Sequence, residues 1–263
     1  MAPSLCICIF ACMTVPKYRD QIETCLATWG QRAVASGVHV HVILGEQPPD
    51  VVDQDGITFW SCPDTGDTYA SALDKQNRGL QRIWDHSGET LEFVYVCGTD
   101  TYVRVDALLS LLRHVDPGRP LVLGGHADTR RILATDVPFF YGGAGFVLSR
   151  EALRRLHPLL PTMTANWRAL CPPELNAAGD VCLAYYGQQV GLRRSTFHAR
   201  FRECNHRGRV DLTDFLQRHG LPIHSDPYHV CCPADTPIKN IITCHNMSLS
   251  DMVEVHRMDF VTN

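Results

Sequence analysis

The sequence predicts an α/β fold: a mostly parallel central sheet flanked by helices, followed by a loop-rich C-terminal region. Three observations predict it. Short apolar runs alternate with stretches of helical periodicity between Leu5 and Leu112, the pattern of strands joined by crossover helices. Several runs end in small or acidic turns, as at Cys97–Gly98–Thr99–Asp100. With 263 residues, 45% hydrophobic and 20% charged, the chain can bury one large core.

The first strand lies around Leu5–Met13, where Cys6, Cys8, Phe10 and Cys12 alternate with other small or apolar residues. Pro16 suits a first helical turn, with Thr14 as its cap. Tyr18, Ile22, Cys25, Leu26 and Trp29 then recur at helical spacing, and Gly30 is read as the stop. Val38–Leu44 reads as a second strand carrying His39 and His41 on one side; their spacing would suit a metal, although edge histidines are the commoner case. After the Pro/Asp-rich loop Gln47–Asp55, Thr58–Cys62 reads as a third strand. A helix follows over Thr68–Asp85, with Tyr69, Leu73, Leu80, Ile83 and Trp84 near one face and Lys75 within it.

Leu91–Val96 is a buried strand ending in the Gly98–Thr99–Asp100 turn, and Val105, Leu108, Leu109 and Leu112 line the next helix. Leu121–Gly124 is another strand, leading into Gly125–His126–Ala127–Asp128. In Gly142–Gly143–Ala144–Gly145 three glycines in four residues allow close backbone approach or positive φ. Ser149 is placed to cap a helix burying Leu153 and Leu156, Pro161–Pro173 reads as irregular, and Asp180 opens an apolar helix from Val181 to Tyr186. Leu192–Thr196 is a late strand. Beyond Asn205 the chain turns polar, with short apolar pieces at Leu212–Leu216, Ile241–Cys244 and Met252–Val255.

A net charge of −4 gives no overall basic field for nucleic acid, although Arg130–Arg131, Arg154–Arg155 and Arg193–Arg194 are local pairs. Neither a basic leader nor a run of about 18 apolar residues is present, so no membrane segment is expected. A cytoplasmic location is the default, the secretory lumen its alternative. Of the 12 cysteines, Cys6, Cys8, Cys12 and Cys97 fall in strands, where thiols act as small hydrophobes. Cys204, Cys231, Cys232 and Cys244 fall in the polar region and are open to disulfide pairing. No CxxC pair occurs, which argues against structural zinc. Asn246–Met247–Ser248 is a glycosylation acceptor in a secreted chain. Rossmann and P-loop fingerprints are absent.

Taken singly, Asp100 is a strand-end carboxylate with a cap, a metal ion or a substrate hydroxyl as its business, and Asp180 is a helix-start cap or a base. Arranged in order, the segments resemble the Fringe and core-1 β1,3-galactosyltransferase group. Arg19 with Thr28–Trp29 resembles that group's first helix, and Lys75 falls where it often has a lysine. Asp100–Thr101–Tyr102–Val103 resembles the end of its Asp-Asp-Asp-Thr-Tyr-Val motif, and Gly142–Ser149 its Gly-Gly-Ala-Gly-Tyr-Val-Leu-Ser run. Asp180–Val181 resembles its Glu-Asp-Val segment, Phe197–His198 its Phe-His pair, and Cys231–Cys232 with Thr243–Cys244–His245 the core-1 enzyme's Cys-Cys and following Ser-Phe-His.

The resemblance implies a single GT-A glycosyltransferase domain over 1–263, with 1–125 the nucleotide-binding half and 126–263 the acceptor-binding and catalytic half. It implies transfer from a UDP-sugar to a glycan or glycoprotein, with Mn²⁺ or Mg²⁺ held by Asp100 and His198 and neutralising the departing diphosphate. Asp180 would be the base of an inverting displacement. Arg19, Lys75, Gly98, Thr99, Gly142, Gly143, Ala144 and Gly145 would face the donor, with His126, Asp128 and His245 as further candidates. Two departures stand out: Gly98–Thr99 replace two carboxylates of the metal motif, and Gly179 replaces the acid before the base. They leave two rivals, a non-catalytic nucleotide- or sugar-binding relative and a metal-independent transferase.

Overall fold

The computed structural model describes residues 2–48, 50–125, 127–197, 200–204 and 240–261. Its centre is a seven-stranded sheet built from β1 (Leu5–Phe10), β2 (His39–Leu44), β3 (Ile57–Ser61), β4 (Phe93–Cys97), β6 (Leu121–Gly124), β9 (Phe146–Ser149) and β10 (Arg193–Thr196), in the order β10-β6-β9-β4-β1-β2-β3. Strand β1 is parallel to β2 and β4, β2 to β3, and β10 to β6; β9 alone runs antiparallel to its neighbours β4 and β6. A small sheet of β5 (Tyr102–Val103), β11 (Phe201–Arg202) and β12 (Thr243–Cys244), and the hairpin β7 (Ala127–Ile132) with β8 (Thr135–Phe140), sit beside it.

Both faces of the sheet are covered over its central strands, which is why those strands read as continuous apolar runs. Along β1 and β4, Leu5, Ile7, Ile9, Phe93, Tyr95 and Cys97 pack on one face with Ile22, Cys25, Trp29, Leu108 and Met252. These come from α1 (Pro16–Cys25) and its continuation, α4 (Val105–Leu112) and α8 (Leu249–Val261). Cys6, Cys8, Val94 and Val96 point the other way, onto Leu73, Leu80, Leu153, Met163 and Leu183. Those belong to α3 (Ala72–Ser87), α5 (Arg150–Leu156), α6 (Leu160–Leu170) and α7 (Gly179–Gln189). The chain leaves β1 toward β2 and β3, then returns to the opposite side of β1 as β4. Ligands of open α/β sheets gather at such a reversal, at the carboxyl ends of the strands.

Several local expectations need correction. Gly30 does not stop the first helix: a π-helical turn over Leu26–Gly30 passes into α2 (Gln31–Ala35), and Gly37, at φ +77°, ends it. Thr14 caps nothing; its hydroxyl donates to Asp67 Oδ2 at 2.7 Å, and α1 starts behind Val15 with Pro16 in its first turn. Tyr69 is exposed, ahead of α3. Pro161–Pro173 is mostly helical, since Pro161 sits in the first turn of α6, where its missing N–H costs nothing, while Leu160, Met163 and Trp167 face the core. His41 is buried with its ring 4.2 Å from Trp60 while His39 is exposed, so they form no metal pair; burial pushes the His41 pKa down to about 4. Ser149 does cap α5, accepting from the Ala152 N–H at 3.2 Å. Cys204 is disulfide-bonded; Cys231, Cys232 and Leu212–Leu216 lie outside the described residues.

Lys75 has a structural duty. Its ammonium donates to the Ala11 carbonyl at 2.8 Å and to Asp67 Oδ1 at 2.6 Å, and the pair is almost fully buried. Asp67 also accepts from the Gly45 N–H at 3.1 Å, so one buried ion pair ties together the loops behind β1 and β2. Removing one partner leaves a buried charge uncompensated. Lys75→Met is therefore expected to cost roughly 3–5 kcal/mol of folding free energy, read by urea denaturation. A loss below about 1 kcal/mol would show that the pair is solvated.

Candidate active site

The carboxyl edge of β4 is stitched so that one carboxylate is left to project. Within the Gly98–Thr101 turn, the Thr99 hydroxyl donates to Gln21 Oε1 at 2.8 Å and the Thr99 carbonyl accepts from Cys25 Sγ at 3.0 Å. The Thr101 carbonyl accepts from Trp29 Nε1 at 3.0 Å, and the Asp100 carbonyl from the Met247 N–H at 3.0 Å. Thr99, a donor-binding candidate, is thus buried against α1. Gly98 lies over Phe10, where a Cβ would make ordinary contacts at 3.4 Å or more.

The glycine run forms the facing wall. It is the turn between β8 and β9, and because β9 runs backward it arrives at the edge where β4 ends. Thr101 Oγ1 donates to the Gly143 carbonyl at 2.8 Å, and Tyr95 and Thr243 hydroxyls both donate to the Ala144 carbonyl, at 2.9 and 2.8 Å. Gly145 has φ +73°, and a Cβ there would overlap the Tyr95 ring. On Gly143 a Cβ would overlap the His245 imidazole. These two glycines are required by a backbone conformation and by a close approach.

Three side chains converge on this turn. Asp180 Oδ2 accepts from the Gly142 N–H at 2.9 Å and Oδ1 from its neighbour Val181 N–H at 2.8 Å. Burial nevertheless holds its pKa above the ordinary carboxylate value, with those N–H groups and the positive charge of Arg130 pulling the other way. His245 lies on the opposite side, with Nε2 3.4 Å from Asp100 Oδ2 and Nδ1 3.5 Å from Glu203 Oε2. Burial opposes its charge, but the carboxylates of Asp100 and Glu203 outweigh that and lift its pKa to about 10. Burial raises the pKa of Glu203, whose oxygens accept from the Ala144 N–H at 3.3 and 3.2 Å.

Of the sequence candidates, the structure brings Asp100, Asp180, His245 and the run Gly142–Gly145 together. Arg19 lies on the outer side of α1, paired with Glu23 at 3.0 Å and with Asp50. Lys75 is the buried tie described above. Asp128 sits on the hairpin, where it accepts from the Tyr141 hydroxyl at 2.9 Å and from the Thr129 N–H at 2.7 Å. His126 and His198 lie outside the described residues. Gly179 packs on Gln76: a Cβ would stand 2.9 Å from Gln76 Oε1. Glu203 and Asn246 were not foreseen. Asn246 adopts φ +52°, donates to the Glu203 carbonyl at 3.1 Å and contacts His245 Nδ1 at 3.1 Å. Its place directly after His245 is the one signal that pointed to it.

Solved structures of glycosyltransferases share this fold. The chain superposes on a galactosyltransferase, LgtC, solved with donor and acceptor sugar analogues, with TM-score 0.56, 13% identity, and 96% of this chain and 95% of that one covered. It superposes on a glycosyltransferase involved in glycosylation of the major capsid of PBCV-1 with TM-score 0.51, 12% identity, and 97% and 100% covered. At such identities the likeness is one of fold. The Fringe-like family model matches residues 8–198, and the chain belongs to the Fringe-like family. Among curated proteins it is 29% identical over 121 residues to chondroitin sulfate synthase 3 of Mus musculus and 27% identical over 117 residues to chondroitin sulfate glucuronyltransferase of Homo sapiens. Those alignments cover 44% and 42% of this chain but only 13% and 15% of the relatives. Among the described residues no helix is long and apolar enough to cross a membrane.

Proposed function

We propose that this chain is an inverting, divalent-metal-dependent glycosyltransferase that moves a sugar from a UDP-sugar to a hydroxyl of a glycan or glycoprotein. The observation that carries the reading is the meeting of Asp180 and His245 on one glycine turn at the carboxyl edge of the sheet, with Asp100 3.4 Å from His245. Asp180 takes the proton of the attacking hydroxyl; its raised pKa makes it a stronger base than an exposed aspartate. Glu203 is spent on the Ala144 N–H and His245, and Asp100 is assigned to the metal, so among the described residues of the site no carboxylate besides Asp180 is left over for a covalent nucleophile, which favours direct displacement.

Among the described residues no three His, Cys, Asp or Glu side chains enclose a metal position. One carboxylate oxygen and one imidazole nitrogen lie 3.4 Å apart, an oxygen-and-nitrogen pair suited to Mn²⁺ once the ion displaces the proton that Asp100 and Glu203 otherwise hold on His245. Asp100 and His245 would hold the ion, which would neutralise charge on the departing diphosphate when bound. By resemblance the linkage is β1,3 and the first donors are UDP-galactose and UDP-N-acetylglucosamine; a curated relative named for glucuronyl transfer adds UDP-glucuronic acid.

The test is a panel of UDP- and GDP-sugars screened for hydrolysis with Mn²⁺, alongside calorimetry of Mn²⁺ with UDP. Turnover of one UDP-sugar is expected, together with Mn²⁺ binding that Asp100→Ala and His245→Ala each weaken at least tenfold. Silence across the whole panel, with or without metal, overturns the reading, and tight UDP binding in that silence supports the non-catalytic relative. The Asp100–His245 contact itself favours a second reading, a metal-independent transferase in which His245 faces the diphosphate. Full activity in EDTA would establish that one.

A further inference from the structure

The small sheet ends in a row of three side chains. Strand β11 is parallel to β12, with Phe201 opposite Thr243 and Arg202 opposite Cys244, so one step further the register sets Glu203 against His245. Strand β12 is antiparallel to β5, with Cys244 opposite Tyr102, and just past that pair the Met247 N–H donates to the Asp100 carbonyl at 3.0 Å. Glu203, His245 and Asp100 therefore stand side by side on three neighbouring segments, the imidazole between two carboxylates. Nδ1 lies 3.5 Å from Glu203 Oε2, and Nε2 lies 3.4 Å from Asp100 Oδ2.

The fold itself makes little use of a charge at position 203. The Glu203 side chain is 13% exposed, and burial works against its ionised form. Its two oxygens share the Ala144 N–H at 3.3 and 3.2 Å, a task that a neutral amide oxygen performs as well. His245, through contact and charge, opposes the effect of burial more strongly than that N–H does. Asn246 is the rival neighbour of the ring: its Nδ2 is 3.1 Å from Nδ1, but it also donates to the Glu203 carbonyl at 3.1 Å, so this amide too is anchored to residue 203. A ring whose Nδ1 is tied to a carboxylate cannot turn over, and the face that carries Nε2 stays toward Asp100.

We propose that Glu203 is a positioning residue of this site: it fixes the orientation of the His245 imidazole and so keeps Nε2 presented beside Asp100. The inference rests on the transferase reading for what Nε2 meets, but not for the orientation itself. Carboxylates that orient a ligating histidine typically change metal affinity or activity by about 10–100-fold. The competing role is a structural one, in which Glu203 only braces the glycine turn through Ala144.

The experiment uses the full chain with Glu203→Gln, His245→Ala and the double variant. Glu203→Gln keeps an oxygen for the Ala144 N–H and loses the charge facing Nδ1; a melting temperature close to the parent's checks the turn. Calorimetry of Mn²⁺ with UDP is expected to show binding about tenfold or more weaker in Glu203→Gln, with Glu203→Asp, which keeps the charge one methylene short, between. Adding Glu203→Gln to His245→Ala should cost nothing further, as residues acting through one contact require. Nitrogen-15 NMR of the metal-free chain, with His245 assigned from its alanine variant, reads the ring directly: a hydrogen-bonded Nδ1–H resonance is expected in the parent, shifted or lost in Glu203→Gln. An unchanged ring resonance in Glu203→Gln overturns the proposal whatever the metal does. So does an unchanged Mn²⁺ affinity where the parent binds the ion, and so does an equal loss in the His245→Ala background, the structural outcome. A resonance that moves in Asn246→Ala and not in Glu203→Gln gives the role to Asn246 and overturns it as well. If the parent binds no Mn²⁺, the metal reading falls there, while the ring resonance still decides this one.

Discussion

Asp180→Asn is expected to lower kcat by about 10²–10⁴-fold, the usual worth of a positioned general base, and to leave UDP binding within a few-fold of the parent chain. The amide oxygen can still accept the Gly142 N–H, so the turn survives while the basic lone pair is lost. The pH profile supplies the matching test. Asp180 must be ionised to act, and burial raises its pKa, so the acid limb of kcat/KM, which reports the free enzyme, should fall above the ordinary aspartate range near 3.9. A limb at or below that value would mean that another group is the base. Linkage gives the sign for stability. A carboxyl whose pKa is higher in the folded than in the unfolded state takes up a proton more readily when folded, so its ionised form works against the fold as pH rises through that pKa. That relief offsets the Val181 N–H contact which the amide gives up, so the variant should melt close to the parent at neutral pH. Equal turnover by Asp180→Asn would end the assignment.

Gly143→Ala is the second large effect. Its methyl group would overlap the His245 ring, and the Gly143 carbonyl is held by Thr101, so the turn cannot simply retreat. The imidazole must move instead, away from Asp100 Oδ2 and Glu203. Displacing an oriented ligand in this way typically costs about 10–100-fold in metal affinity or activity. Calorimetry of Mn²⁺ with UDP reads the first, donor hydrolysis the second. Gly98→Ala is the comparison on the opposite turn, where a methyl would touch Asp100 Oδ1 at an ordinary 3.4 Å and Phe10 beyond it. If Gly143→Ala keeps the parent's Mn²⁺ affinity and activity, His245 plays no part at the site.

The layered fold was legible because strands covered on both faces are apolar throughout, and those of this chain are short and separated by helical periodicity. Asp100, Asp180 and the glycine run were legible because each carries a local mark: a carboxylate at a strand end, an acid at a helix start, three glycines in four residues. What escaped depends on packing at a distance. Glu203 lies in Phe201–Arg202–Glu203–Cys204, where nothing local says that a glutamate will be buried against a turn 59 positions earlier. Lys75 and Asp67 are unremarkable surface types whose burial only the loops behind β1 and β2 create. The prolines around α6 misled because Pro161 starts the helix while Pro172 and Pro173 follow it, and proline punctuates both ends alike. His245 was a lesser candidate until the fold set it against Asp100.

The reversed direction of β9 has a mechanical consequence. Val96 pairs with Phe146 and Phe93 with Ser149, so the turn that ends β4 and the turn that leads into β9 leave the same end of one antiparallel ladder in the middle of the core. Opening that ladder means opening the core itself, at close to the free energy of global unfolding. Asp100 on the first turn and the Gly142 N–H that holds Asp180 on the second are thus fixed relative to each other. Any adjustment to a new substrate has to come from the hairpin and the sheet edge, where that constraint ends.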